Sequence, residues 1–193
     1  IEEAYEAVDA INRQDEGELA GELGDVLLQV AFHAEIAREH GEFDASDVTT
    51  AICRKMIRRH PHVFAGAKVD NLQAEWDRIK REEQGNLSPA DSLREVARAL
   101  PALTRAKKVL ARAARANLCG SDPDEALAAL DDALARLKKA FAAGENLNEC
   151  GGETLLQLVN LLRIGQTDPE MLLSETIDRA VEQLARKASV RPE

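Results

Sequence analysis

Aromatic residues make up only 3% of the 193-residue chain, with one tryptophan, one tyrosine and four phenylalanines. Runs of β-branched or aromatic residues are missing almost everywhere, so strands have little to be built from. Abundant Ala and Leu favour an all-α fold. Cysteine is also scarce: Cys53, Cys119 and Cys150 are three in number and scattered. They fit neither a disulfide framework nor a zinc site and read as buried, reduced thiols. No apolar run approaches a membrane-spanning helix, and the N-terminus lacks the charge-then-apolar layout of a signal peptide. A soluble, cytoplasmic protein with no membrane partner is expected. Positive charge falls short as well, 25 Lys and Arg against 35 Asp and Glu, for a formal net charge of -10. That balance argues against a broad grip on a nucleic acid polymer or an anionic membrane, so a phosphate ligand has to be met by local cations. What is present, 45% hydrophobic residues over this length, suffices for a full core in one domain or two small ones. A chain that opens on Ile1 with a helix under way is expected to continue upstream.

Apolar residues at helical spacing predict a short helix over Ile1 to about Asn12, then a break at Arg13–Gly17. From Glu18 the series Leu19, Leu23, Val26, Leu27, Val30, Ala34 and Ala37 predicts a long amphipathic helix ending near Gly41. Asp44 or Ser46 can cap a third helix through Val48, Ile52, Met56 and Arg59, stopped by a His60-Pro61-His62 turn. A fourth runs from about Leu72 to Glu83. The linker candidate is Gly85–Pro89, after which Leu93, Val96, Leu100 and Leu103 restart a helix that tolerates Pro101 near its first turns or kinks there. Past a second break at Asn117–Pro123, helices are expected over Asp124–Ala143, Glu149–Ile164 and Asp168–Ser189.

The last three helices resemble the first three. IEEAYEAVDAI lies over LDDALARLKKA with Glu3 against Asp132, and ELGDVLLQVAF over CGGETLLQLVN with Asp25 against Glu153, so that Leu27-Leu28-Gln29 matches Leu155-Leu156-Gln157. A tandem duplication accounts for this, with a first copy at 1–85, a linker and connecting helix at 86–123 and a second copy at 124–193. The duplication explains the match better than the bland alternative, that any two Ala- and Leu-rich amphipathic segments align somewhat.

Glu3 and Glu6 are three apart on one helix face, and Glu22 and Asp25 repeat that spacing on the next helix. Antiparallel packing across the short break would bring all four together. Four anions in a partly buried site must take up protons or hold a cation, and oxygen-only ligands suit Mg²⁺ or Mn²⁺. A solvated acidic face stands as the other reading of either pair alone. Lys55 and Arg59 share a face of the third helix and could meet phosphate oxygens. Trp76 and Lys80 repeat the i, i+4 spacing on the fourth, where the one tryptophan could stack on a base or pack in a core.

The pattern Glu2-Glu3-x-x-Glu6, a spacer, then Glu22-x-x-Asp25 resembles the signature of the MazG family of nucleoside triphosphate pyrophosphohydrolases. RRHPHVF, WDRIKREE and LPALTRAKKVLARAA are similar to stretches in its two-copy members. The resemblance implies tandem four-helix-bundle-type repeats, a homodimer, and Mg²⁺-dependent cleavage of NTPs or dNTPs to monophosphate and pyrophosphate. It implies Glu3, Glu6, Glu22 and Asp25 as catalytic metal ligands, with Lys55, Arg59, Trp76 and Lys80 on the nucleotide and its phosphates. Departures lie in the second copy, where Ala135 answers Glu6, Cys150 answers Glu22 and Gln183 answers Arg59, and at Glu18, where active copies carry lysine. The second copy is therefore read as a packing unit. The competing reading is a nucleotide-binding or interaction protein without turnover that acts through a helical dimer surface; a plain helical scaffold is the third.

Overall fold

The computed structural model describes residues 1–66, 71–83 and 87–189; the side chains at 73, 74, 77, 80, 81 and 83 lie outside the description. Among the described residues every regular element is a helix, and none is long and apolar enough to cross a membrane. The chain divides into two compact units, 1–83 and 84–193.

The first unit holds α1 (Glu2–Arg13), α2 (Glu16–Glu39), α3 (Ala45–Arg59), α4 (Pro61–Phe64) and α5 (Leu72–Glu83). Gln14 adopts the left-handed conformation at φ 57° and stops α1. Asp15 starts α2 at once, its carboxylate accepting the Glu18 amide at 3.0 Å. So short a connection makes α1 and α2 neighbours in a hairpin, and α1 packs against α2 with Ala7 and Ala10 buried. α3 opens on a capping box: Asp44 accepts from the Ser46 and Asp47 amides while Asp47 accepts from the Asp44 amide at 3.1 Å. α3 touches α2, α4 and α5. The expected His60-Pro61-His62 turn is one more turn of helix, because Pro61 at a first helical position loses no hydrogen bond there.

The second unit holds α6 (Pro89–Arg94), α7 (Ala102–Arg115), α8 (Pro123–Ala143), α9 (Asn148–Ile164) and α10 (Pro169–Ser189). The single helix expected from Leu93 is two. Pro101 stands before α7 rather than inside it, and the residue ahead of a proline is pushed out of helical geometry. Asp122 caps α8 through the Asp124 and Glu125 amides, and Gly144 closes it at φ 69°, where a side chain would be strained. α9 packs on α8 and α7. α10 is tied to α7 by its first turn: Thr104 donates to Glu170 from its amide (3.0 Å) and hydroxyl (3.2 Å), and Lys107 pairs with Asp168 at 2.8 Å. Lys107 and the Met171 amide hold the Asp168 carboxyl below the usual carboxylate range.

Small residues make up most of the buried set. It comprises Ala7, Ala10, Ala34 and Ala37 in the first unit with Ile79, and Val96, Ala126, Ala133, Ala140, Val159, Asn160 and Pro169 in the second. No large side chain among the described residues is fully buried. Alanines let helix backbones approach closely and leave the bulk outside. On α2, Leu23, Leu27, Leu28, Val30, Phe32 and Ile36 are all exposed, Leu27 by 66%. Its apolar residues are thus not confined to one stripe, as the amphipathic reading expected. The cysteines also differ from expectation. Cys53 is exposed and Cys119 and Cys150 are only half-buried, because helical phase turns Cys53 away from the face of α3 that meets its neighbours.

Burial does not follow the register of the aligned hairpins. Ala7 and Ala10 are buried, whereas their aligned counterparts Arg136 and Lys139 are exposed, and α8 buries every seventh residue at Ala126, Ala133 and Ala140.

Candidate active site

The two-residue connection after α1 brings the acidic face of α1 onto the first half of α2. Glu3, Glu6 and Glu22 each offer a carboxylate oxygen, and these three atoms lie within 4.8 Å of one another. Glu3 and Glu22 are half-buried and Glu6 is exposed. Asp25 is not part of that group, but its charge acts on Glu6. The Glu6 carboxyl is pushed above its ordinary range, first by desolvation, then by the charges of Glu22 and Glu2, a hydrogen bond shared with Glu22, and the charge of Asp25. Such crowding is relieved by a proton or a cation. The donors are carboxylate oxygens alone, the set a hard divalent ion takes, and these residues fit one. The space beside Gly24, between Glu22 and Asp25, is open.

Arg13, near these acids in sequence, is engaged at the hairpin turn, paired with Asp9 and with Glu18 at 2.9 Å each. Glu18, standing where the family resemblance leads one to expect lysine, therefore ties the first turn of α2 to the end of α1.

The predicted nucleotide contacts separate into two places. Lys55 is exposed on α3. Arg59, one turn further, is half-buried and sets its guanidinium 5.8 Å from the centre of the Trp76 ring on α5, a cation–π contact. Arg59, His60, His62, Leu72 and Trp76 line a cleft of about 230 Å³. The Lys80 side chain lies outside the described residues. His60 places Nδ1 at 2.9 Å from the Met56 carbonyl, and the His60 and His62 rings meet edge to face at 5.7 Å. From sequence the two histidines read as a turn in preference to metal ligands. The signal that could have flagged them is their place at the helix end that directly follows Arg59.

Residues 1–64, spanning α1 to α4, match the MazG nucleotide pyrophosphohydrolase domain. A Thermotoga maritima protein named nucleoside triphosphate pyrophosphohydrolase/pyrophosphatase MazG is 37% identical over 186 residues, covering 96% of this chain and 72% of that relative. The chain belongs to the MazG family. Two further relatives, both named nucleoside triphosphate pyrophosphohydrolase, match a shorter stretch. The Escherichia coli (strain K12) protein is 47% identical over 117 residues, 59% of this chain and 44% of the relative. The Mycolicibacterium smegmatis protein is 43% identical over 122 residues, 61% of this chain and 38% of the relative. The matched stretches span less than half the length of either. The matched MazG domain takes in the three grouped acids, Asp25, Lys55, Arg59 and both cleft histidines, and stops before Trp76.

Proposed function

We propose that this MazG chain is a Mg²⁺-dependent nucleoside triphosphate pyrophosphohydrolase, with Mn²⁺ able to substitute, converting an NTP or dNTP to the monophosphate and pyrophosphate. The observation that carries the reading is the convergence of Glu3, Glu6 and Glu22 within 4.8 Å. Three carboxylates so close, with Glu6 already driven toward protonation, are compatible with a low-energy ionised state when a cation lies among them. Glu3, Glu6 and Glu22 would hold it, with Asp25 one turn along. When bound, the cation supplies charge neutralisation for the triphosphate and its departing pyrophosphate.

The remaining work belongs to side chains. A water oriented by the carboxylates forms a new bond from its oxygen to the α-phosphorus, and the bond from that phosphorus to the α,β-bridging oxygen breaks. The water's proton passes to a carboxylate, for which Asp25, outside the grouped three, is suited. Lys55, Arg59 and Lys80 would meet phosphate oxygens, and Trp76 would offer its ring to the base. No covalent nucleophile is needed. A substrate of this kind fits a cytoplasmic enzyme.

The reading includes a homodimer. Its support is the exposed apolar surface of α2 together with an interior of alanines, since a helix apolar on most sides is built to be covered. Two observations favour a second reading, nucleotide binding without turnover: Asp25 stands apart from the grouped acids, and Glu18, where the family resemblance leads one to expect lysine, is paired with Arg13.

Incubation with mixed dNTPs and Mg²⁺, followed by separation of products, tests the assignment. Monophosphate with pyrophosphate is expected. Diphosphate with orthophosphate would overturn it, and stabilisation by a non-hydrolysable dNTP with no product would leave the second reading.

A further inference from the structure

His60 lines the cleft with its hydrogen-bonding state fixed by the main chain. A backbone carbonyl only accepts, so the 2.9 Å contact between His60 Nδ1 and the Met56 carbonyl requires the proton on Nδ1. In the neutral ring Nε2, on the opposite edge, is then an acceptor. His60 lines the cleft beside Trp76 and the Arg59 guanidinium that sits over it. The His62 ring meets the His60 ring edge-on at 5.7 Å, and Pro61 begins α4 directly after His60. At about 230 Å³ the cleft has room for a planar heterocycle against the Trp76 ring.

We infer that His60 is a specificity-determining residue: its Nε2 accepts from the exocyclic amine of an amino-bearing base, so that adenine and cytosine nucleotides are held in preference to their oxo counterparts, hypoxanthine and uracil. The inference rests on the nucleotide reading of this site. In each pair the amine becomes a carbonyl and the adjacent ring nitrogen, an acceptor in the amino base, becomes an N–H donor. Replacing the amine by a carbonyl turns a hydrogen bond into two opposed lone pairs in a partly desolvated cleft, which discriminates more strongly than loss of a contact alone. Arg59 and Trp76 do not draw this distinction, because every base offers a ring face.

Trp76 is the sole tryptophan, so its fluorescence reports occupancy of the cleft. Titration with the α,β-methylene analogues of ATP and ITP at pH 8, where an ordinary imidazole is neutral, measures the preference without turnover. The wild type is expected to bind the ATP analogue about tenfold more tightly. In His60→Asn the amide nitrogen can still donate to the Met56 carbonyl while the Nε2 acceptor is gone, and the ratio is expected to fall to about one, with melting temperature as the control for folding. His60→Gln, whose amide can turn either its oxygen or its nitrogen toward the base, serves the same purpose should the first variant melt early.

Equal affinities in the wild type, a preference that survives in both variants, or no quenching by either analogue would overturn the inference. Pyrophosphate release from ATP and ITP is scored separately. Preference without product removes the hydrolase assignment and keeps this one; product without preference does the reverse.

Discussion

In the α1–α2 hairpin the carboxylates of Glu3, Glu6 and Glu22 crowd within 4.8 Å, and Glu6 is driven toward protonation. At the aligned places in the α8–α9 hairpin stand Asp132, Ala135, Cys150 and Glu153, and Glu153 meets the Arg136 guanidinium at 2.8 Å. Both hairpins are closed by a left-handed residue, Gln14 in one and Gly144 in the other, and both bury alanines. Yet the buried phases differ. Similar local sequence thus yields one hairpin that concentrates negative charge and one that neutralises it internally. A shared hairpin form does not carry a shared site; that depends on which helix faces meet, and therefore on which residues the alanine stripe leaves beside the contact.

The comparison breaks most sharply on turnover. Glu22→Gln is expected to lower kcat for dNTP cleavage by about 10²–10³-fold, as loss of a group stabilising developing charge does. Glu153→Gln, in the other hairpin, is expected to stay within about twofold, because exposed ion pairs contribute little. Steady-state assays of pyrophosphate release check both.

Next in size is the metal-dependent gain in stability. Manganese at a hundredfold excess over its dissociation constant is expected to stabilise the wild type by about 2.7 kcal/mol and Glu6→Gln by nothing measurable in thermal melts. Placing acids in the second hairpin by Ala135→Glu, Arg136→Ala and Cys150→Glu, on the Glu6→Gln background, is expected to restore no shift, since α8 buries a different face from α1. A restored shift would mean that the two hairpins superpose in the aligned register.

The smallest effect is on pH, because Glu6 is exposed. Its carboxyl lies above the ordinary 4.5 when folded, so between 4.5 and that higher value the folded chain binds more protons than the unfolded one. Metal-free stability should therefore rise as pH falls through that window. Manganese affinity should fall there, since the ion displaces the proton. Melts and manganese titrations of the wild type between pH 4 and 7 are expected to show both trends, and melts of Glu6→Gln to lose the first.

Much of this architecture can be read along the chain, because its signals are local. Asp44 and Asp168 mark helix starts, and three-to-four-residue apolar spacing marks the helices between them. Spacing alone sets Glu3 and Glu6 on one face, and the two-residue connection brings Glu22 to it. What could not be read depends on contacts through space. Helical spacing pairs Asp25 with Glu22, but only the packed geometry leaves Asp25 outside the 4.8 Å group. The split at Pro101 and the helical turn after His60 follow from where the chain goes next, which a periodic pattern does not encode, and the exposure of Cys53 depends on which face of α3 its neighbours cover. The histidines of the cleft acquire meaning only once α5 returns Trp76 to the end of α3.

Ala7 and Ala10 are the only buried residues of α1, the helix that carries two of the three grouped acids. The gap between the acid-bearing backbones is therefore metered by methyl groups, the thinnest spacer a side chain can provide. A divalent ion is chosen partly by radius, and Mg²⁺ asks for shorter oxygen distances than Ca²⁺. Under the proposed metal reading, the gauge for that choice would lie beneath the charged surface, in two residues out of the ion's reach.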